Sequence, residues 1–214
     1  SIGRRLAHVV GAGTTWNPGS SVVSRHTVPG GTPKPNATHS HARAAALVSN
    51  SEYYRGRYAA LGVDPAKIRV IRSAVERVLP GDGVRVRREF GVRDHEVLFT
   101  VVARLVERKG HEDLLRAGTG FRMLFVGDGP FRRRLEGRGA MLAGWRQDVP
   151  DVMAASDVVV LPSRFGEGCP NAVLEAMAAG RAVVAARAGG TPEVVEDGVT
   201  GLLTPPGDLG ALRA

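Results

Sequence analysis

From position 45 onward, short apolar runs alternate with helix-forming stretches, and turn residues separate them. This alternation constrains the fold more than any other feature of the chain. Apolar, β-branched segments at 45–49, 68–71, 96–103, 121–126, 141–144, 158–161, 181–186 and 201–204 read as strands. Between them, 53–61, 84–90, 110–117, 131–138, 149–156 and 172–179 carry helical spacing or helix-favouring composition. Ser51 is a helix N-cap candidate, and Gly62 and Gly180 are helix stops. Pro170 suits a first helical turn, where an amide has no partner to lose. Strands near-continuous in apolar residues are buried on both faces. With helices between them they predict an α/β fold with a doubly wound parallel sheet. In such sheets ligands bind beyond the carboxyl ends of the strands.

The first 43 residues lack this pattern. A short strand is predicted at 6–10. Gly11-Ala12-Gly13 follows, but Trp16 breaks any G-x-G-x-x-G fingerprint. Residues 14–40 are dense in Ser, Thr, Pro and Gly and read as loop or disorder. His26, His39 and His41 lack Cys or carboxylate neighbours at ligand spacing and read as solvated loop histidines. Residues 79–83 read as a linker. The predicted division is therefore 1–80, an incomplete first unit with 1–43 loop-rich, and 81–214.

The chain carries 29 Lys and Arg against 21 Asp and Glu, a net charge of +8. Such a balance suits an anionic partner, whether a phosphate-bearing substrate, an anionic lipid or nucleic acid; an arginine-heavy surface from compositional bias is the alternative. No recognition helix or clustered aromatic platform accompanies the charge, so nucleic acid is not expected. The single cysteine, Cys169, excludes an internal disulfide and a Cys-rich metal site. No apolar run approaches the ~20 residues of a membrane span, and no signal-peptide pattern opens the chain. A cytoplasmic protein, with room for peripheral contact with a membrane surface, is expected.

Two stretches carry the chemistry. Ala103-Arg104-Leu105-Val106-Glu107-Arg108-Lys109-Gly110 follows the strand at 96–103 and sets Arg104 and Lys109 five positions apart across a strand-to-helix turn. A planar guanidinium and a compact ammonium could both reach one diphosphate; two ordinary surface cations are the alternative. Pro162-Ser163-Arg164-Phe165-Gly166-Glu167-Gly168-Cys169-Pro170-Asn171 follows the strand at 158–161 and leads into Leu174-Glu175-Ala176-Met177-Ala178. It places Glu167 in a loop and Glu175 about one turn into a helix whose N-terminus suits a bound phosphate. Two ordinary helix-end carboxylates are the alternative.

This Glu167-x7-Glu175 block, with the Arg-x4-Lys-Gly run, resembles the retaining glycosyltransferases of the GT-B fold, family 4 type. The resemblance covers about 44–208. It implies a Rossmann-like donor domain beside a shortened N-terminal α/β acceptor-side domain. It also implies transfer of a hexosyl group from a nucleotide-diphosphate sugar to an acceptor hydroxyl with retention of configuration and no required metal or other cofactor. Arg104 and Lys109 resemble the pair on the donor diphosphate, Glu167 the contact to the donor sugar, and Glu175 the partner of the ribose hydroxyls. Backbone amides from Gly168 through Cys169 and Pro170 to Asn171 would face phosphate and sugar, with Leu174 beside them in the signature. Gly129, like Gly127, would let a base approach the backbone or simply make a tight turn. Cys169 is either pocket lining or a small buried hydrophobe. The turn Arg72-Ser73-Ala74 departs from the family's Pro-Asn-Gly. Lipid-linked, small-metabolite and polysaccharide acceptors all stay open. The rival functions are a nucleotide-sugar-binding module without catalysis and a basic binder of nucleic acid or membrane surface.

Overall fold

The computed structural model describes residues 22–24, 45–75, 81–118 and 120–213. The expected strand at 6–10, the Gly11-Ala12-Gly13 turn, His26, His39, His41 and the first two residues of the expected linker, 79 and 80, lie outside these residues.

Two parallel sheets form. The small one has three strands, β1 (Val22–Ser24), β2 (Ala46–Ser49) and β3 (Ile68–Val70), in that order. The stretch read as loop or disorder therefore contains a strand. Three residues between Ser and Arg are too few for periodicity to mark, and pairing with β2 makes them a strand. Helix α1 (Glu52–Ala60) links β2 to β3, with the Ser51 hydroxyl accepting from Tyr54 N as the N-cap.

The large sheet has six strands: β4 (Leu98–Val102), β5 (Arg122–Val126), β6 (Met141–Gly144), β7 (Val158–Leu161), β8 (Ala182–Ala186) and β9 (Leu202–Thr204). They lie in the order β6-β5-β4-β7-β8-β9, every pair parallel. The helices around them are α2 (Gly83–Glu89), α3 (His111–Ala117), α4 (Arg132–Leu135), α5 (Val149–Ala155), α6 (Asn171–Ala178) and α7 (Leu209–Arg213). This strand order is that of a doubly wound, Rossmann-like sheet, and it reverses between β4 and β7.

Both sheet faces are apolar because alternate side chains point to opposite sides. On one face Leu98, Leu124 and Val126 pack with Val86 of α2 and Val152 of α5. On the other, Val101, Met123 and Phe125 pack with Leu114 of α3 and Leu135 of α4. Burying a side chain of this kind contributes about 1.5–3 kcal/mol, so the two layers fix the sheet from both sides.

Two local expectations are corrected, and one element is added. The helix expected at 131–138 is only α4, because Glu136 turns extended and Gly137 takes φ +71. Pro170 stands one residue before α6, at φ −74 and ψ 107, and its carbonyl accepts from Val173 and Leu174. Helix α7, unmarked in the sequence, lies after β9, and Arg213 donates to the Arg116 carbonyl of α3 at 2.9 Å.

Candidate functional site

A cavity of about 290 Å³ lies at the carboxyl ends of β4 and β7, with Val102 and Leu161 at its floor. This is the reversal point of the strand order, where open α/β sheets leave a crevice between diverging connections. Its walls are Arg108 and Lys109 after β4, the run 166–172 after β7, and Asn50 and Ser73 from the small sheet.

The loop after β4 is shaped to aim two cations inward. Glu107–Lys109 form a short 3-10 turn closed by Gly110 at φ +70. A side chain at Gly110 would strike the Pro162 carbonyl, so the two loops touch backbone to backbone there. Arg164 N donates to the Arg108 carbonyl at 2.8 Å. Its guanidinium grips Asp113 of α3 with two bonds of 2.7 Å, pinning the β7 loop to the β4 connection.

Glu167 is the electrostatic centre. It is only 5% exposed. Its Oε1 lies 2.5 Å from Lys109 Nζ and accepts from the buried Ser163 hydroxyl at 2.6 Å. Arg108 Nη1 stands 3.8 Å from the same oxygen and donates to the Gly166 carbonyl at 3.2 Å. A carboxylate this buried is tolerable because it is paired and hydrogen-bonded. Lys109, also mostly buried, is therefore held at the cavity by an internal partner. A diphosphate entering the cavity would compete for it, and Arg108 offers further donors.

The sequence candidates separate. Lys109, Glu167, Gly168, Cys169, Pro170 and Asn171 line the cavity together. Arg104, Gly129, Leu174 and Glu175 do not. Arg104 is exposed and has no side-chain partner among the described residues. Gly129 packs on the loop after β4, where a side chain would strike the Leu105 carbonyl; this backbone approach explains the glycine without a ligand. Glu175 sits one turn into α6, half-buried, and burial raises its carboxyl above the ordinary range. Cys169 is buried in the wall, its Sγ 3.9 Å from the Ser73 carbonyl oxygen.

Four site residues were not picked out by sequence reasoning. Arg108 was hidden inside the Arg-x4-Lys run. Ser163 lies within the motif itself. Asn50 and Ser73 follow β2 and β3, so the rule that drew attention to carboxyl-end loops would have found them if applied to the small sheet. Among the described residues no cluster of His, Cys, Asp or Glu could hold a metal ion, and no helix is long and apolar enough to cross a membrane.

A Rossmann-like sheet with a cationic crevice at its switch point, facing a second parallel sheet, defines a GT-B-type fold. The family model for glycosyl transferases group 1 matches residues 96–214, more than half of the chain. The chain belongs to that family. The D-inositol 3-phosphate glycosyltransferase of Mycobacteroides abscessus is 35% identical over 163 residues, covering 66% of this chain and 36% of the relative. The UDP-Gal:alpha-D-GlcNAc-diphosphoundecaprenol alpha-1,3-galactosyltransferase of Escherichia coli is 31% identical over 173 residues, covering 70% of this chain and 44% of the relative. The crystal structure of Anabaena HepE in complex with UDP superposes with a TM-score of 0.77 at 26% identity, over 90% of this chain and 60% of that one. The chain thus spans less than half the length of these curated relatives.

Proposed function

We propose that this chain binds a nucleotide-diphosphate sugar in the cavity between β4 and β7 and carries the donor half of a retaining hexosyl transfer. In that reaction the bond from the anomeric carbon to the diphosphate breaks and an acceptor hydroxyl oxygen takes its place. The acceptor proton leaves with the nucleoside diphosphate. The observation that carries this reading is the convergence of Lys109, Arg108 and Glu167 on one switch-point cavity. Cations fixed there stabilise the diphosphate as its charge develops, without reorganising at the moment of reaction. This is why the proposal needs no metal. Glu167, released by Lys109, faces the sugar, and Glu175 takes the ribose hydroxyls. Exposed Arg104 is free to fold over the diphosphate. The UDP in the HepE crystal and the UDP-galactose in the Escherichia coli relative's name support a nucleotide-sugar donor. That relative's name also supports a lipid-linked acceptor.

The test is a thermal melt with UDP, ADP, GDP and their hexose conjugates. A ligand at a hundred times its Kd adds about 2.7 kcal/mol, or roughly 5–10 °C for a domain of this size. One nucleotide should raise the midpoint, and Lys109→Ala should abolish the rise. A cooperative melt that no nucleotide shifts refutes the reading.

A further inference from the structure

Glu193 belongs to the turn after β8 and does not line the cavity, yet it holds the small sheet. Its Oε2 accepts from Glu52 N at 2.9 Å and its Oε1 from Tyr53 N at 2.8 Å. The first amides of any helix lack intrahelical partners. In α1 the Ser51 hydroxyl satisfies Tyr54 N, while the two amides before it are satisfied from the other sheet by one carboxylate 140 residues away. Arg72, after β3, adds a third contact, donating from Nη2 to Glu193 Oε2 at 3.1 Å.

The two segments that Glu193 grips are those that bear the far wall of the cavity. Asn50 lies two residues before Glu52, and Ser73 lies directly after Arg72. Both line the cavity opposite Lys109 and Glu167. The packing around the grip is close. A side chain at Gly190 would strike the Gly168 carbonyl and come within 2.8 Å of Ser51 Cβ, and one at Gly168 would strike the Asn50 amide. Glu193 itself touches none of the cavity space.

We propose that Glu193 is a positioning residue: it clasps the small sheet against the large one and so sets Asn50 and Ser73 as the far wall of the donor cavity. This rests on the reading of the cavity given under Proposed function. A carboxylate suits the task because charge-assisted bonds to helix N-terminal amides are stronger than neutral ones and favoured by the helix dipole.

Cys169 reports the state of this contact without any ligand. It is the chain's single cysteine, 7% exposed, and covered from the small-sheet side by the Ser73 backbone. The experiment is the rate of Cys169 labelling by dithiobis-nitrobenzoate in the full chain, with melts recorded in parallel. Glu193→Ala should raise the rate by about tenfold or more, the shift expected from losing charge-assisted bonds in the closed state. Glu193→Gln keeps one acceptor oxygen and should fall between. Arg72→Ala leaves both amide bonds and should change the rate least. The added labelling should stay flat in low urea, since separating two sheets exposes far less surface than unfolding. An unchanged rate in Glu193→Ala, or a rise that grows steeply with urea as global unfolding does, overturns the proposal. If the alanine variant does not fold, an unchanged rate in both Glu193→Gln and Arg72→Ala overturns it. The nucleotide that raises the melting midpoint should also slow labelling of the wild type. A chain that none of UDP, ADP and GDP protects or stabilises refutes the donor reading, while the clasp is judged by the nucleotide-free comparison.

Discussion

His111 opens α3 two residues after Lys109, and its ring lies in the core at 1% exposure, edge-on to Phe125 with centroids 5.0 Å apart. Neither ring nitrogen has a hydrogen-bond partner among the described residues. Burial, with Lys109 adding repulsion, pushes its pKa from 6.5 down to about 4. The unfolded chain therefore takes up the proton first as pH falls. Stability is at its full value above about 6.5, is lost between 6.5 and 4, and levels below 4. A gap of that width between folded and unfolded states corresponds to at most about 3 kcal/mol. His111→Leu removes both the titration and an unsatisfied buried nitrogen worth about 1–3 kcal/mol, against a lost edge contact of about 0.5–1 kcal/mol. At pH 7.5 the variant should be equal to or more stable than the wild type. Urea unfolding at pH steps from 8 to 4 gives the difference between the two proteins, which isolates His111 from all other titrations. That difference should grow in the variant's favour through the window and then flatten. UDP binding at neutral pH should be unaffected, because His111 does not line the cavity. A difference that stays constant with pH, or moves in the wild type's favour on acidification, refutes the argument that this ring is buried neutral.

Two further outcomes follow from the site. Burial favours the protonated form of Glu175; under the proposed ribose role, the calorimetric affinity for the bound nucleotide should weaken as pH falls through that raised pKa in the wild type and not in Glu175→Gln. An identical pH dependence in both chains would exclude Glu175 from the ribose. Gly110→Ala sets a side chain at φ +70 against the Pro162 carbonyl, which should cost about 2–4 kcal/mol in urea unfolding. A loss under about 0.5 kcal/mol, the size of an ordinary surface change, would show that the two loops do not meet as described.

The large sheet was legible residue by residue. Runs such as 158–161 and 182–186 are apolar because helices cover both faces of the strand, and burial of that kind leaves its mark in consecutive residues. The motif from Ser163 to Glu175 was legible because a strand-to-helix loop with a glycine-rich turn is a local object. Val22–Ser24 and α7 were not, because three and five residues are too short for any period to show. Of the ten candidate residues six line the cavity, and Arg104, Gly129, Leu174 and Glu175 stand outside it; that division depends on how the strands assemble, which no local pattern records.

Sequence alone determined the alternating strands and helices, the burial of both sheet faces, and the loops in which chemistry could lie. It did not determine that β4 and β7 are neighbours, and that adjacency brings Lys109 against Glu167 across 58 residues of chain. Nor did it determine that Glu193 would cap a helix of the other sheet, or that Arg104 would stand outside the cavity. Periodicity records whether a residue is buried. Which strands pair, and which loops then meet, is decided by crossover handedness and packing among segments far apart in the chain, and only the assembled sheet contains that information.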